Sequence, residues 1–278
     1  MKFLAFLRLP IAIVMLMAVF VVQGIATRYA RPLGADAVAV LAFAIAVFLG
    51  LAVYLAYVRW IERRWPVAEL ALAGAGRELG SGLVLGAALF CVTLGVLAAF
   101  GLYGAQGLRS PAVLVTPFAV SFGAGVLEEL LFRGVIFRLI EGALGTWLAL
   151  AISAALFGLV HLGNPNATWF AGLAIALEAG VMLAAAYVLT RRLWLPIGIH
   201  AAWNFTQGGI FSVAVSGGST RGLIDGALAP TPTWLTGGEF GAEASVVAIV
   251  ACTALGAVLL AMAHKRGRFV APRWKRPH

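Results

Sequence analysis

Long apolar runs constrain this chain more than anything else in it. A helix crosses roughly 30 Å of hydrocarbon with about 20 mostly apolar residues at 1.5 Å each. Runs of that kind, bounded by charge, Pro or Gly, lie near 4-24, 36-58, 81-103, 113-138, 146-163, 168-190, 195-215 and 244-264. They predict an all-α polytopic membrane protein with about eight transmembrane helices. At 62% hydrophobic and 11% charged, the chain is too apolar for a water-soluble domain, where about 45–50% and about 25% are usual. The same balance excludes a disordered chain. Two cysteines, Cys91 and Cys252, are too few for a disulfide framework. Both fall inside apolar runs and read as small packing residues.

The net charge of +9 does not point to nucleic acid, because the basic residues flank apolar runs and form no single patch. Lipid head groups are the matching counter-charge. With the N-terminus inside, the inner segments hold Lys2, Arg8, Arg59, Arg63, Arg64, Arg77, Arg138, Arg191, Arg192 and the basic tail from Lys265, to which His264 and His278 also belong. The outer segments hold only Arg28, Arg31, Arg109 and Arg221. This bias predicts both termini in the cytoplasm. No small-x-small cleavage site precedes Arg28, so the first run reads as a retained span. Segment 59-80 mixes charge with an apolar stripe and predicts a short amphipathic helix on the inner interface. Segment 216-243, rich in Gly, Pro and Thr, predicts an irregular outer loop, a linker or a lid. Trp60, Trp65, Trp147, Trp169, Trp194 and Trp274 fall near predicted interfaces and form an aromatic belt.

The fourth span carries what a bilayer rarely tolerates. A charge at the centre of a spanning helix costs about 2.5–3.5 kcal/mol, and this run holds Glu128, Glu129 and Arg133. Glu129 and Arg133 are four apart on one helix face, in the favourable acid-before-base order. Glu128 is left without that partner, a partly desolvated carboxylate able to serve as a general base. Two further spans add polar groups at the same spacing: Phe157 and His161 in the fifth, His200 and Asn204 in the seventh. Counted at 1.5 Å per residue from each inner end, Glu128 and Asn204 lie about 15 Å deep, His200 about 9 Å and His161 about 22 Å. Helix tilts of about 20° close such a spread, so the four side chains can meet in a hydrated cavity near mid-membrane.

No cysteine or serine stands in a nucleophile context, so attack by an activated water fits this set best. Glu128 can take the proton of a water held by His161, while His200 and Asn204 donate to the oxyanion of a tetrahedral intermediate, the bond cut being an amide. A carboxylate and two imidazoles, Glu128, His161 and His200, are also a possible zinc set, although HExxH, the usual zincin pairing on one helix, is absent. Glu178, in the middle of the sixth span, either lines the cavity, pairs with Arg133, or makes a structural hydrogen bond. Asn164 and Asn166 read as turn residues.

Glu128-Glu129-x-x-x-Arg133, then Phe157-x-x-x-His161, then His200-x-x-x-Asn204, in order and on separate spans, resemble the three-motif signature of the CAAX protease and bacteriocin-processing family of intramembrane endopeptidases. The resemblance covers roughly 113-208. It implies that Glu128 and His161 activate water, that His200 and Asn204 stabilise the oxyanion, and that Glu129, Arg133 and Phe157 support them. It further implies a peptide or lipidated protein as substrate; the related type II CAAX prenyl endopeptidase removes three residues from prenylated tails on the cytoplasmic side. Members of the family are described both as metalloproteases and as metal-free glutamate-dependent enzymes, and the metal-free form is favoured here. Two other readings of the same polar spans are a proton-relaying transporter and a non-catalytic immunity or scaffold protein. The chain then divides into N-terminal transmembrane helices with the interfacial segment (1-112), a protease core (113-208), and an outer loop, last helix and basic tail (209-278).

Overall fold

The computed structural model describes residues 7–276; Lys2, the start of the first predicted span at 4-6, and His278 lie outside them. A helix stands at each predicted span. They are α1 (Arg8–Leu33), α2 (Ala35–Ile61), α3 (Ala75–Ala99), α4 (Pro111–Leu144), α5 (Thr146–His161), α6 (Trp169–Thr190), α7 (Trp194–Asn204, continued by a π-helical turn Phe205–Ile210) and α8 (Val246–Lys265). Among the described residues, α1, α2, α3, α4, α6 and α8 are long and apolar enough to cross a membrane. The chain is a multi-pass, mostly helical membrane protein.

The expected count of eight full-length crossings is not reached, and the two short helices differ in why. At 16 residues, α5 is roughly 24 Å long. Helix α7 is buried along Leu195 to Trp203; because it is packed by protein and not lipid, it need not match the hydrocarbon thickness. Both carry polar residues of the predicted site. Side chains such as Val14, Val21, Phe48, Val84, Val92, Val250 and Val258 face outward, the lipid belt that bilayer immersion requires.

Local chemistry sets the helix ends. Pro111 opens α4 after Ser110, whose hydroxyl accepts from the Ala112 amide at 3.4 Å; Thr168 and Ser245 cap α6 and α8 in the same way. Helices α4 and α5 join through Gly145 alone, at φ +82°, a backbone angle that favours glycine. Helix α7 is gripped between α3 and α4. A Cβ on Gly86 of α3 would overlap the Ile199 carbonyl, and one on Gly125 of α4 would come within 3.1 Å of Ala201. Small residues thus let three backbones approach closely and fix His200, which lies between Ile199 and Ala201.

The amphipathic helix expected within 59-80 is absent. Helix α2 runs on to Ile61, α3 begins at Ala75, and only a 3-10 turn (Ala68–Leu70) lies between. The charges that suggested an amphipathic face are committed to ion pairs instead: Glu62 with Arg138 at 2.5 Å and Glu69 with Arg64 at 2.6 Å. Segment 216-243 is more ordered than a linker. Its strand β2 (Ile224–Leu228) pairs antiparallel with β1 (Tyr103–Leu108), with a bulge between Ala105 and Gly107. Arg109 then holds Asp225 and the Ser212 hydroxyl, tying the strand pair to the chain just past α7.

Candidate active site

Helix α4 carries Glu128 and Glu129 immediately before a π-helical stretch (Leu130–Phe137). Wider turns of this kind concentrate at functional sites, and similar turns follow Asn204 (Phe205–Ile210) and surround Glu178 (Ala176–Val181). The two adjacent carboxylates point to different places. Glu129 is fully buried; its Oε1 accepts from Arg133 at 2.7 Å and from His200 Nδ1 at 2.9 Å. Glu128 makes no hydrogen bond through its buried Oε2, which lies 3.9 Å from His200 Nε2, and its side chain is 23% exposed. The separation of roles read from helical spacing is therefore present in space.

Arg133 is itself enclosed. It donates to the Ala179 carbonyl at 2.8 Å and the Gly180 carbonyl at 3.3 Å, and its guanidinium lies 4.7 Å from the centre of the Phe157 ring. A cation over an aromatic face is stabilised by the ring quadrupole. Phe157 packs edge-on against Phe132 at 4.7 Å and approaches His200 at 6.3 Å, so one ring touches both groups that Glu129 holds. His161 Nδ1 donates to the Phe157 carbonyl at 2.7 Å. A carbonyl can only accept, so this bond fixes the tautomer and leaves Nε2 with a free lone pair. His200 also uses Nδ1, toward Glu129, and turns Nε2 toward Glu128 at 3.9 Å, so a proton on Nε2 would point at the carboxylate and the cavity.

Glu128, His161, His200 and Asn204 share the wall of one cavity of about 820 Å³. All four predicted catalytic side chains are thus brought together, with Glu129, Arg133 and Phe157 packed behind them. Glu178 does not pair with Arg133, which takes the neighbouring carbonyls. It is buried in a smaller cavity of about 30 Å³, shared with His161, His200, Asn204, Glu243 and Cys252. Glu243 escaped the sequence reading. Its buried carboxylate accepts from the Ser216 amide at 2.6 Å and hydroxyl at 2.9 Å, and burial pushes its pKa up in spite of those bonds. A lone acid in a Gly-rich stretch carries no periodic signal, so nothing in the sequence marks it. Of the two asparagines in the α5–α6 turn, Asn166 adopts φ +57° and reaches the Gly217 carbonyl at 3.4 Å, while Asn164 lines the larger cavity.

Among the described residues, no group of three His, Cys, Asp or Glu side chains is placed to hold a metal ion. Zinc ligands lie about 2.0–2.2 Å from the ion, and Glu128, His161 and His200 do not converge on such a point as arranged.

Residues 110–206 match the family model described as type II CAAX prenyl endopeptidase, Rce1-like. The segment is Rce1-like. It runs from the start of α4 to the turn after Asn204 and contains all three motifs, so the family resemblance read from them holds over this stretch. The Rce1-like segment supplies Glu128, His161, His200 and Asn204 of the cavity wall, while α3, whose Gly86 packs against Ile199 of α7, lies outside it. No curated protein and no solved structure matches the chain.

Proposed function

We propose that the chain is a membrane-embedded endopeptidase whose catalytic core lies within 113-208. The carrying observation is the asymmetry of the two carboxylates. Glu129 is committed to Arg133 and His200, whereas Glu128 faces the cavity with no hydrogen bond to its buried oxygen, 3.9 Å from His200 Nε2. An unpaired carboxylate in a cavity too polar to stay dry is a general base in search of a proton.

In the reaction, Glu128 takes a proton from a water that also donates to His161 Nε2. The resulting hydroxide adds to the scissile carbonyl carbon. His200, carrying a second proton on Nε2, and the Asn204 amide donate to the oxyanion. Glu128 then returns its proton to the departing amine as the C–N bond breaks. Glu129 aligns the His200 ring and offsets its charge, and Arg133 holds the Glu129 carboxylate in place. The substrate is a peptide or a membrane-associated, in the CAAX-like case prenylated, protein; the lipid bilayer is the other partner, and nucleic acid is not one. The reaction needs no metal, so chelation should leave it intact. Both termini are cytoplasmic.

The test is Glu128→Gln in purified protein. Cleavage of a reporter peptide should fall by about three orders of magnitude or more, with thermal stability unchanged because the carboxylate makes no hydrogen bond. Full activity in that variant would remove Glu128 from the base role. Loss of activity in EDTA, restored by zinc, would remove the metal-free mechanism.

A further inference from the structure

The large cavity has a direction. On α4 its wall is a single stripe, Val113, Thr116, Val120, Ala124 and Glu128, descending from the helix's first turn. On α7 it is His200, Asn204 and Gly208, rising toward the helix's last turn. His161 is the final residue of α5, and Asp36 stands at the first turn of α2. The rim is completed by Ser219 and Arg221 of the loop before β2. Every one of these positions lies between the catalytic groups and one end of the bundle.

The other end is shut. Beyond Glu129 the α4 side chains Leu130, Phe132, Val135 and Phe137 are buried. Past them, Arg138 bridges to Glu62 at 2.5 Å and Arg192 to Glu78 at 3.3 Å, while Arg191 pairs with Glu141 and the Arg268 carbonyl. This closed end also holds nearly all the basic residues. Within the described residues only Arg28, Arg31, Arg109 and Arg221 belong to the open end, and Arg133 is interior. A Lys/Arg excess of this size marks the cytoplasmic side of a multi-pass protein.

We propose that the cavity opens on the non-cytoplasmic face, and that its substrate is an unfolded segment of a secreted or membrane-anchored polypeptide presented from outside. This rests on the peptidase reading above and is the reverse of the cytoplasmic cleavage that the family resemblance implies. The depth sets the substrate's form. Glu128 lies roughly 22 Å below Val113 at 1.5 Å per residue. An extended chain at about 3.3 Å per residue therefore needs roughly six or seven residues to reach from rim to Glu128. A folded domain is too wide for a cavity of about 820 Å³, whereas an extended peptide is not. The wall is apolar at Val113, Val120 and Ala124, with Asp36 and Arg221 providing opposite charges at the rim.

Two measurements test this, the first independent of any catalysis. Ser219→Cys at the rim and Arg266→Cys at the closed end are exposed to a membrane-impermeant maleimide applied to intact cells expressing the full chain. Cys91 and Cys252 lie within helices, so the parent chain is the blank. Ser219→Cys should label in intact cells and Arg266→Cys only after permeabilisation; the opposite pattern overturns the proposal. The second measurement adds a quenched peptide of about twelve residues to the outside of proteoliposomes sorted by that same label. Cleavage should occur only in vesicles with the rim outward, and cleavage confined to the inverted population overturns the proposal. If the rim labels from outside but the detergent-solubilised protein cuts no peptide in a substrate panel, the peptidase reading fails and the outward opening stands.

Discussion

The two ends of the bundle treat charge in opposite ways. At the closed end every carboxylate that joins helix ends has a guanidinium: Glu62 with Arg138, Glu69 with Arg64, Glu141 with Arg191 and Glu78 with Arg192. At the open end the rim is tied by a two-stranded sheet and the Arg109–Asp225 pair, and the cavity beneath it keeps Glu128 without a hydrogen bond on its buried oxygen. Paired charge fixes helix positions, while an unpaired group in a wet cavity is available for chemistry. Substitutions should therefore separate cleanly, costing turnover at one end and stability at the other.

Glu128→Gln is the largest expected effect and falls on turnover alone. Asn204→Ala comes next. Deleting one oxyanion donor lowers kcat by about 10²–10³, and Asn204 donates to no protein group among the hydrogen bonds of the site, so its thermal midpoint should match the parent's. A change mainly in KM would instead make Asn204 a substrate-binding group and would blur the contrast between the two ends.

Glu69→Gln probes the closed end. Glu69 is buried and receives Arg64 through two bonds, at 2.6 and 2.8 Å, and the Tyr54 hydroxyl at 2.5 Å. Breaking a fully buried ion pair costs about 3–5 kcal/mol. Arg64 is a third exposed, and solvent screening brings the expected loss to about 2 kcal/mol. The surviving folded fraction should cleave at the parental rate. A variant as stable as the parent but slow in turnover would show that the closed end communicates with the cavity.

Legibility in the sequence followed periodicity. Helices repeat at 3.6 residues, so the apolar runs and the i, i+4 pairs Glu129–Arg133, Phe157–His161 and His200–Asn204 are visible in the sequence, and the structure places each pair where the period puts it. What lacked a period was missed. Strands β1 and β2 lie more than a hundred residues apart, and their sequences YGAQGL and IDGAL alternate weakly, so nothing local announces their pairing. Glu243 and the rim residue Ser219 belong to an irregular segment that packs against the α5–α6 turn at Pro165 and the end of α7 at Gly208 and Gly209. The 59-80 stripe misled for a related reason: its charges pair partly with one another, Glu69 with Arg64, and partly with other helices, Glu62 with Arg138 and Glu78 with Arg192, and spacing alone does not distinguish such a network from an amphipathic face.

The smallest expected effect is a pH dependence confined to the closed end. Burial alone would raise the Glu69 pKa, but Arg64, Tyr54 and Arg138 outweigh it and hold the carboxyl below its ordinary value of 4.5. A carboxylate bound more tightly in the folded state than in the unfolded one contributes stability that is fully present above pH 4.5. That contribution drains away as the pH falls through the lower folded-state value. Parent and Glu69→Gln should therefore differ most in thermal midpoint near neutral pH and converge in acid, with Glu128→Gln tracking the parent throughout. A gap that stays constant from pH 7 to pH 3 would mean that Glu69 contributes shape and not charge, and the ion-pair account of the closed end would need a different carboxylate at its centre.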